Sequence, residues 1–142
     1  MTPSIWDQIK KNAVALCSVT VALAGLGYNT WSHERTESNR TVRIAAFEVL
    51  KHLGELQLVV DYLHYEKNRD LGNPITGWGR VMLIKDLSVV IPEPAPHEAE
   101  RLFQIWQADW EEIESDNAAT ERVTEQVTKT RDTVRGILRA LN

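Results

Sequence analysis

Apolar residues along the chain fall into four stretches, separated by polar or proline-rich breaks. From Ala13 to Trp31 the run AVALCSVTVALAGLGYNTW carries no charged side chain over 19 residues. As a helix it would be about 28 Å long at ~1.5 Å of rise per residue, close to the ~30 Å of a bilayer's hydrocarbon core. Trp6 on one side and Tyr28 with Trp31 on the other fall where amphipathic rings prefer the headgroup region, and Lys10 and Lys11 can snorkel outward. The pattern predicts an N-terminal transmembrane helix. Within it Ser18, Ala22 and Gly25 are small enough to let a neighbouring membrane helix approach closely.

The second stretch is a helix seam. Val42, Ala46, Val49, Leu53, Leu56, Val60 and Leu63 follow one another at alternating spacings of four and three, as in a coiled coil or helix bundle. Phe47, Leu50 and Val59 widen the stripe, which predicts packing against more than one helix. Carried backward, the same frame meets Asn39, Arg35, Ser32 and Tyr28, a polar neck through which the helix can run on from the membrane. Breakers then cluster between Asn68 and Gly79 (Gly72, Asn73-Pro74, Gly77, Gly79) and predict a loop. A short helix is expected from about Arg80 to Val90, with Val81, Ile84, Leu87 and Ile91 on one face, ended by an extended connector at Pro92, Pro94 and Pro96.

Beyond His97 the frame Ala99, Leu102, Trp106, Asp109, Ile113, Asp116, Thr120, Val123, Val127, Thr130, Val134, Ile137 and Leu141 again alternates three and four. Polar residues at Asp109, Asp116 and Thr120 weaken the middle of this seam, and Ser115-Asp116-Asn117 can cap a new helix. The stretch therefore predicts one long bent helix or two helices meeting near Asp116. The fold class is all-α: an N-terminal transmembrane helix continuing into an antiparallel three- or four-helix bundle or coiled-coil domain. Residues 1–31 would be tail and membrane anchor, and residues 32–142 the extramembrane bundle.

Two other readings of the first stretch stay open. Lys10-Lys11 before an apolar run, with Ala22-Leu23-Ala24 as a small-x-small site, fits a signal peptide cleaved after Ala24, although the apolar run continues to Trp31. Ser18 and Thr20 leave room for a buried helix of a soluble protein. Orientation rests on a near tie, Lys10 and Lys11 against Arg35, Arg40 and Arg43. A short tail before a first apolar helix usually stays behind, which favours a cytoplasmic N-terminus and a periplasmic C-terminal domain.

Charge changes the picture mainly by exclusion. Sixteen basic against 20 acidic side chains, with no Lys/Arg block, argue against nucleic acid as a partner. Ten carboxylates between Glu93 and Glu125 read as a solvated helix face. The one cysteine, Cys17, lies in the apolar run, so the remainder has no thiol for a disulfide, zinc or nucleophilic attack. Glu48/His52 and Asp61/His64 each sit one helical turn apart, but the Glu-x-x-His pairs of bundle metal sites are missing. No nucleophile elbow or phosphate-cradling glycine loop occurs. No cofactor, metal or catalytic residue is expected. The polar residues worth naming are Asp61, Tyr62, His64 and Tyr65 at the end of the first seam, with Trp78 across the loop, a candidate partner or ligand patch.

The run GYNTWSHERTESNRTVRIAAFEVLKHLGELQLVVDYLHY, followed by GWGRVMLIKDLSVVIP, resembles small single-pass membrane proteins of unassigned function from gammaproteobacteria. The resemblance covers Gly27 to Pro92. It implies a bacterial inner-membrane protein and carries no catalytic residues. Two long seams beside an anchor lead to the expectation of a non-enzymatic accessory or scaffold protein that meets membrane lipid and binds another envelope protein or itself as a homo-oligomer. The alternative is an extracytoplasmic ligand-sensing module like the four-helix domains of bacterial sensors. Those return through a second membrane helix, so here a signal would pass through a partner. A phage-type spanin is a third reading, against which the Gly/Pro loop interrupts what should be a rod.

Overall fold

The computed structural model describes the backbone of residues 5–141 and the side chains of residues 12–13, 15, 17–30 and 37–141. Trp6, Lys10, Lys11 and Trp31, invoked above as interface anchors, have side chains outside the described residues. The described residues form four helices: α1 (Ile5–His64), α2 (Pro74–Ser88), α3 (Ala95–Asp109) and α4 (Asn117–Ala140). Packing divides the chain into two units, Met1–Ser38 and Asn39–Asn142.

In the first unit the described side chains from Val19 to Tyr28 are exposed, and the larger apolar ones, Val19, Val21, Leu23, Leu26 and Tyr28, are 57–71 % exposed. Among the described residues no helix is long and apolar enough to cross a membrane. Val14 and Leu16, two of the most apolar positions of the uncharged run, have side chains outside them.

The second unit is the all-helical bundle. Every residue of the first seam from Val42 to Leu63 is buried, because spacings of three and four keep side chains on one stripe of a 3.6-residue helix. Leu50 and Val59 widen that stripe, but Phe47 points to solvent and does not. Short connections of residues 65–73, 89–94 and 110–116 force successive helices to run antiparallel. Helix α3 lies between α2 and α4, and α4 returns to α1, where Gln57 Nε2 donates to Thr124 Oγ1 at 3.2 Å.

Three residues past the end of α1, Lys67 takes a left-handed φ of 51°, a conformation that costs a non-glycine residue roughly 1–2 kcal/mol. The turn is held by local bonds: the Asn68 N–H donates to the Tyr62 carbonyl at 3.0 Å, and Asn68 Oδ1 accepts from Asp70 and Leu71 N–H. Gly72 then passes so close to α1 that a Cβ there would stand 2.9 Å from Leu63 Cα, so only glycine fits.

Helix α2 starts six residues earlier than its apolar pattern predicts. Asn73 caps it, with Oδ1 accepting from Ile75 N–H at 2.9 Å, and Pro74 fills the first turn, where a missing N–H costs nothing. Gly77 and Gly79 are therefore inside a helix. Gly77 is buried because the Trp106 ring lies where a Cβ would be, whereas Gly79 faces open space.

The proline run is also more helical than expected. Pro94 stands at the N-cap of α3 and Pro96 lies within its first turn, so these prolines open a helix and do not build an extended connector. At the far end of α3 the long second seam breaks into two helices. Asp116 caps α4, its two carboxylate oxygens accepting from Ala118 N–H at 2.9 Å and Ala119 N–H at 3.2 Å.

The polar seam positions are paired. Asp109, only 8 % exposed, receives both Nε and Nη2 of Arg122 at 2.8 and 2.7 Å. The carboxylate-rich run is thus not wholly a solvated face, since Glu98 is buried as well. Gln126 Nε2 donates to Glu98 Oε2 at 2.8 Å and Lys129 Nζ lies 3.2 Å from Oε1. Burial pushes this carboxyl's pKa up, but the hydrogen bonds from Gln126 and Lys129 outweigh it and hold the group below the ordinary value.

Candidate interaction surfaces

Of the polar and aromatic residues singled out from sequence, Asp61, Tyr62 and His64 end α1, Tyr65 follows it and Trp78 lies in α2, and the bundle sends them three ways. Leu58, Asp61, Tyr62, Tyr65 and Glu66 line one shallow groove of about 350 Å³ on the outer side of α1. Asp61, Tyr62 and Tyr65 share it because residues three and four apart are neighbours on a helix surface. Gln57 donates to Asp61 Oδ1 at 2.8 Å and fixes that carboxylate at the groove wall. The groove presents two phenol rings and two carboxylates, a lining suited to a cationic or amphipathic group.

His64 faces the other flank of the helix. Its Nδ1 meets the Ile113 carbonyl at 2.7 Å and Thr120 Oγ1 at 3.0 Å, while the edge of Tyr65 packs on its ring at 4.8 Å. The imidazole thereby satisfies a carbonyl of the α3–α4 turn, which is a structural tie between α1 and α4.

Trp78 lies apart from both. It is the hub of an aromatic cluster, with T-shaped contacts to Phe103, Trp106 and Trp110 at centroid distances of 5.9, 6.5 and 6.3 Å. Such pairs are worth roughly 0.5–1.5 kcal/mol each beyond the area they bury. Trp106 is fully buried and its indole N–H has no hydrogen-bond partner among the described groups.

A further cluster was not visible from sequence. His52 is buried on α1, and its Nδ1 lies 2.8 Å from Glu55 Oε2. Arg80 of α2 reaches the same oxygen at 3.2 Å. The His52 hydrogen bond, reinforced by the charge of Arg80 against the opposing effect of burial, lowers the Glu55 pKa. The signal in the sequence was the His52/Glu55 spacing of three. The third member comes from another helix and left no local trace. Among the described residues no group of three or more His, Cys, Asp or Glu side chains is placed to hold a metal ion.

In the first unit Ala13, Cys17, Ser18, Val21 and Ala22 line one apolar strip of helix surface. Ser18 and Ala22 are thus brought onto one face, and at Gly25 a Cβ would meet nothing within 4 Å.

No protein-family model, curated protein or solved structure matches the chain.

Proposed function

We propose that this chain is a membrane-anchored helical scaffold or accessory protein, without catalysis of its own, whose bundle meets another envelope protein or a second copy of itself. The observation that carries the reading is the apolar surface of the first unit. Val19, Val21, Leu23 and Leu26 stand exposed within an uncharged run of 19 residues, while the core of the bundle is closed without them. Transferring those four side chains from water to an apolar phase would contribute roughly 6–12 kcal/mol, a gain that a bilayer supplies. The small residues Ser18, Ala22 and Gly25 suit a helix contact inside that bilayer.

The resemblance to small single-pass proteins is the support for a bacterial inner membrane. The short tail before the apolar run argues for a cytoplasmic N-terminus and a periplasmic bundle. Flotation of the full chain with lipid vesicles tests the anchor: it should rise with the lipid and stay with it in alkaline carbonate, and a chain that remains in the dense fraction would defeat the reading. A reporter fused after Asn142 reads the side. Affinity purification from detergent-solubilised membranes, followed by mass spectrometry, reads the partner.

A second reading is favoured by the groove of Leu58, Asp61, Tyr62, Tyr65 and Glu66. It is a ligand-sensing module that signals through a partner. Thermal-shift measurements across amino acids, organic acids and metal ions separate the two, since a pure scaffold shifts with none of them.

A further inference from the structure

The bundle is polarised along its length, and the topology is what polarises it. The Arg43 guanidinium donates to the Leu141 carbonyl, which sets the point where α1 enters the bundle beside the last turn of α4. Arg40 and Arg43 from α1 thereby join Arg135 and Arg139 from α4 at one end, with Arg131 a turn further into the bundle along α4. Four of the five are exposed and Arg131 is half-buried. Among the described residues none of them is ion-paired with a carboxylate. At the opposite end the arginines are engaged, Arg69 with Glu114 and Arg122 with Asp109, and Glu66, Asp70, Glu111, Glu112 and Asp116 add acid. Asp132 is the exposed carboxylate among the α4 arginines, Asp86 and Glu93 are exposed where α2 passes into α3, and Glu98, buried nearby, is engaged with Lys129 and Gln126.

Helix chemistry alone does not account for the basic end. Cations near a helix C-terminus complement its macrodipole, which explains Arg135 and Arg139. Arg40 and Arg43 lie in the middle of α1, where no such field acts. Nor is a basic end a by-product of composition, since the chain carries a net charge of −4.

We propose that this end of the bundle is a docking surface for the headgroups of anionic phospholipids, with Arg40, Arg43, Arg135 and Arg139 as its phosphate contacts. A guanidinium offers paired N–H donors that match a phosphate's oxygens, and unpaired arginines give up no existing ion pair to meet one. Clusters of four to eight basic residues on the cytoplasmic side of a membrane helix read as sites for anionic lipid, and the same guanidinium–phosphate pairing is open to a basic cluster that faces the other leaflet. Eight residues separate Trp31 from Arg40 in the chain, so the cluster begins a short way after the uncharged run. The inference rests on the anchored reading above.

The test uses the full chain in nanodiscs of phosphatidylcholine alone or with about one third phosphatidylglycerol, read by amide hydrogen exchange. Anionic lipid should slow exchange across residues 131–141 several-fold. High salt should abolish the difference, because exposed charges are screened beyond a few ångströms at molar ionic strength. Replacing Arg40, Arg43, Arg135 and Arg139 with Gln should abolish it too, whereas replacing them with Lys should retain part of it. Each arginine near such a surface contributes roughly fivefold to partitioning, so Arg135→Gln with Arg139→Gln alone should weaken docking by about 25-fold.

Equal exchange in the two lipids, with the chain inserted in both, overturns the docking surface and leaves the anchor standing. A chain that inserts in neither lipid but binds anionic vesicles through the same arginines overturns the anchor and leaves the surface standing. A short DNA duplex bound as tightly as anionic vesicles at equal salt would assign the arginines to polyanions at large and overturn the lipid assignment. The comparison of lipids and salts needs no variant, so misfolding of a substituted chain cannot mask the result.

Discussion

Gly77 and Gly79 sit two residues apart in α2, and substituting each with alanine should move stability in opposite directions. In a helix interior alanine is favoured over glycine by about 0.8–1 kcal/mol. At Gly79 a Cβ would meet nothing within 4 Å, so Gly79→Ala should realise that gain. At Gly77 the Cβ would overlap the Cζ2 and Cη2 atoms of Trp106. That ring cannot swing away, because Trp106 is fully buried and braced edge-on by Trp78 at 6.5 Å. Overpacking of this kind costs typically about 1–3 kcal/mol. With two ring atoms displaced the upper end applies, and after the helical gain is subtracted the net loss should be about 2 kcal/mol.

The assay is urea denaturation of the full chain in mild detergent, followed by circular dichroism, with the midpoint read at unchanged slope. For a bundle of this size the loss corresponds to roughly 8–16 °C in Tm. Trp106→Phe removes the two offending atoms together with the unpartnered indole N–H. The double variant Gly77→Ala/Trp106→Phe should therefore lose much less than the sum of its parts, a coupling that only a direct contact produces. A Gly77→Ala protein as stable as Gly79→Ala would refute the close packing of α2 on Trp106.

Three further outcomes follow from single groups. Asp116→Ala removes both hydrogen bonds that begin α4 and should cost about 1 kcal/mol in the same denaturation assay. Glu98 is held below its ordinary pKa of 4.5 in the folded chain; its contribution is present at neutral pH and is lost as pH falls from 4.5 through the lower folded value. Denaturation midpoints measured down that range should decline less steeply in Glu98→Gln, and parallel declines would exclude the Gln126–Glu98–Lys129 network as a cause. His64→Phe removes the Nδ1 partner of the Ile113 carbonyl, which Thr120 Oγ1 still reaches at 3.0 Å, so it should cost about 1 kcal/mol; the groove of Asp61, Tyr62 and Tyr65, lined from the other flank, should keep any ligand affinity it has.

Much of the bundle was legible before any coordinates. Seven seam positions from Val42 to Leu63 went into the core as their spacing demanded, because helix periodicity is local geometry and needs no knowledge of the partner. The same holds for Val81, Ile84 and Ile91, and for Ala99, Leu102 and Trp106. The cap at Asp116 was readable for a similar reason, since a short acceptor side chain acts on backbone N–H groups only two and three residues away. Of the candidate patch, Asp61, Tyr62 and Tyr65 belong together by helical spacing alone.

What the linear pattern could not settle was every question of which helix stands beside which. Gly77 reads as a breaker until the Trp106 ring explains why a helix there needs a residue without a Cβ. Phe47 looks like a core residue until the neighbouring helices leave its face uncovered. Glu98 and Asp109 look solvated until α4 brings Gln126, Lys129 and Arg122 against them. His64 and Trp78 left the patch because the α3–α4 turn and α3 offered them partners across 49 and 25 residues of sequence. By itself the sequence determined the helices, their apolar faces and most of their ends, since these depend on contacts within a few residues. Only the tertiary structure decided the pairing of charges, the arginine-rich end and the close approach at Gly77, because each depends on side chains that the chain separates and the bundle brings together.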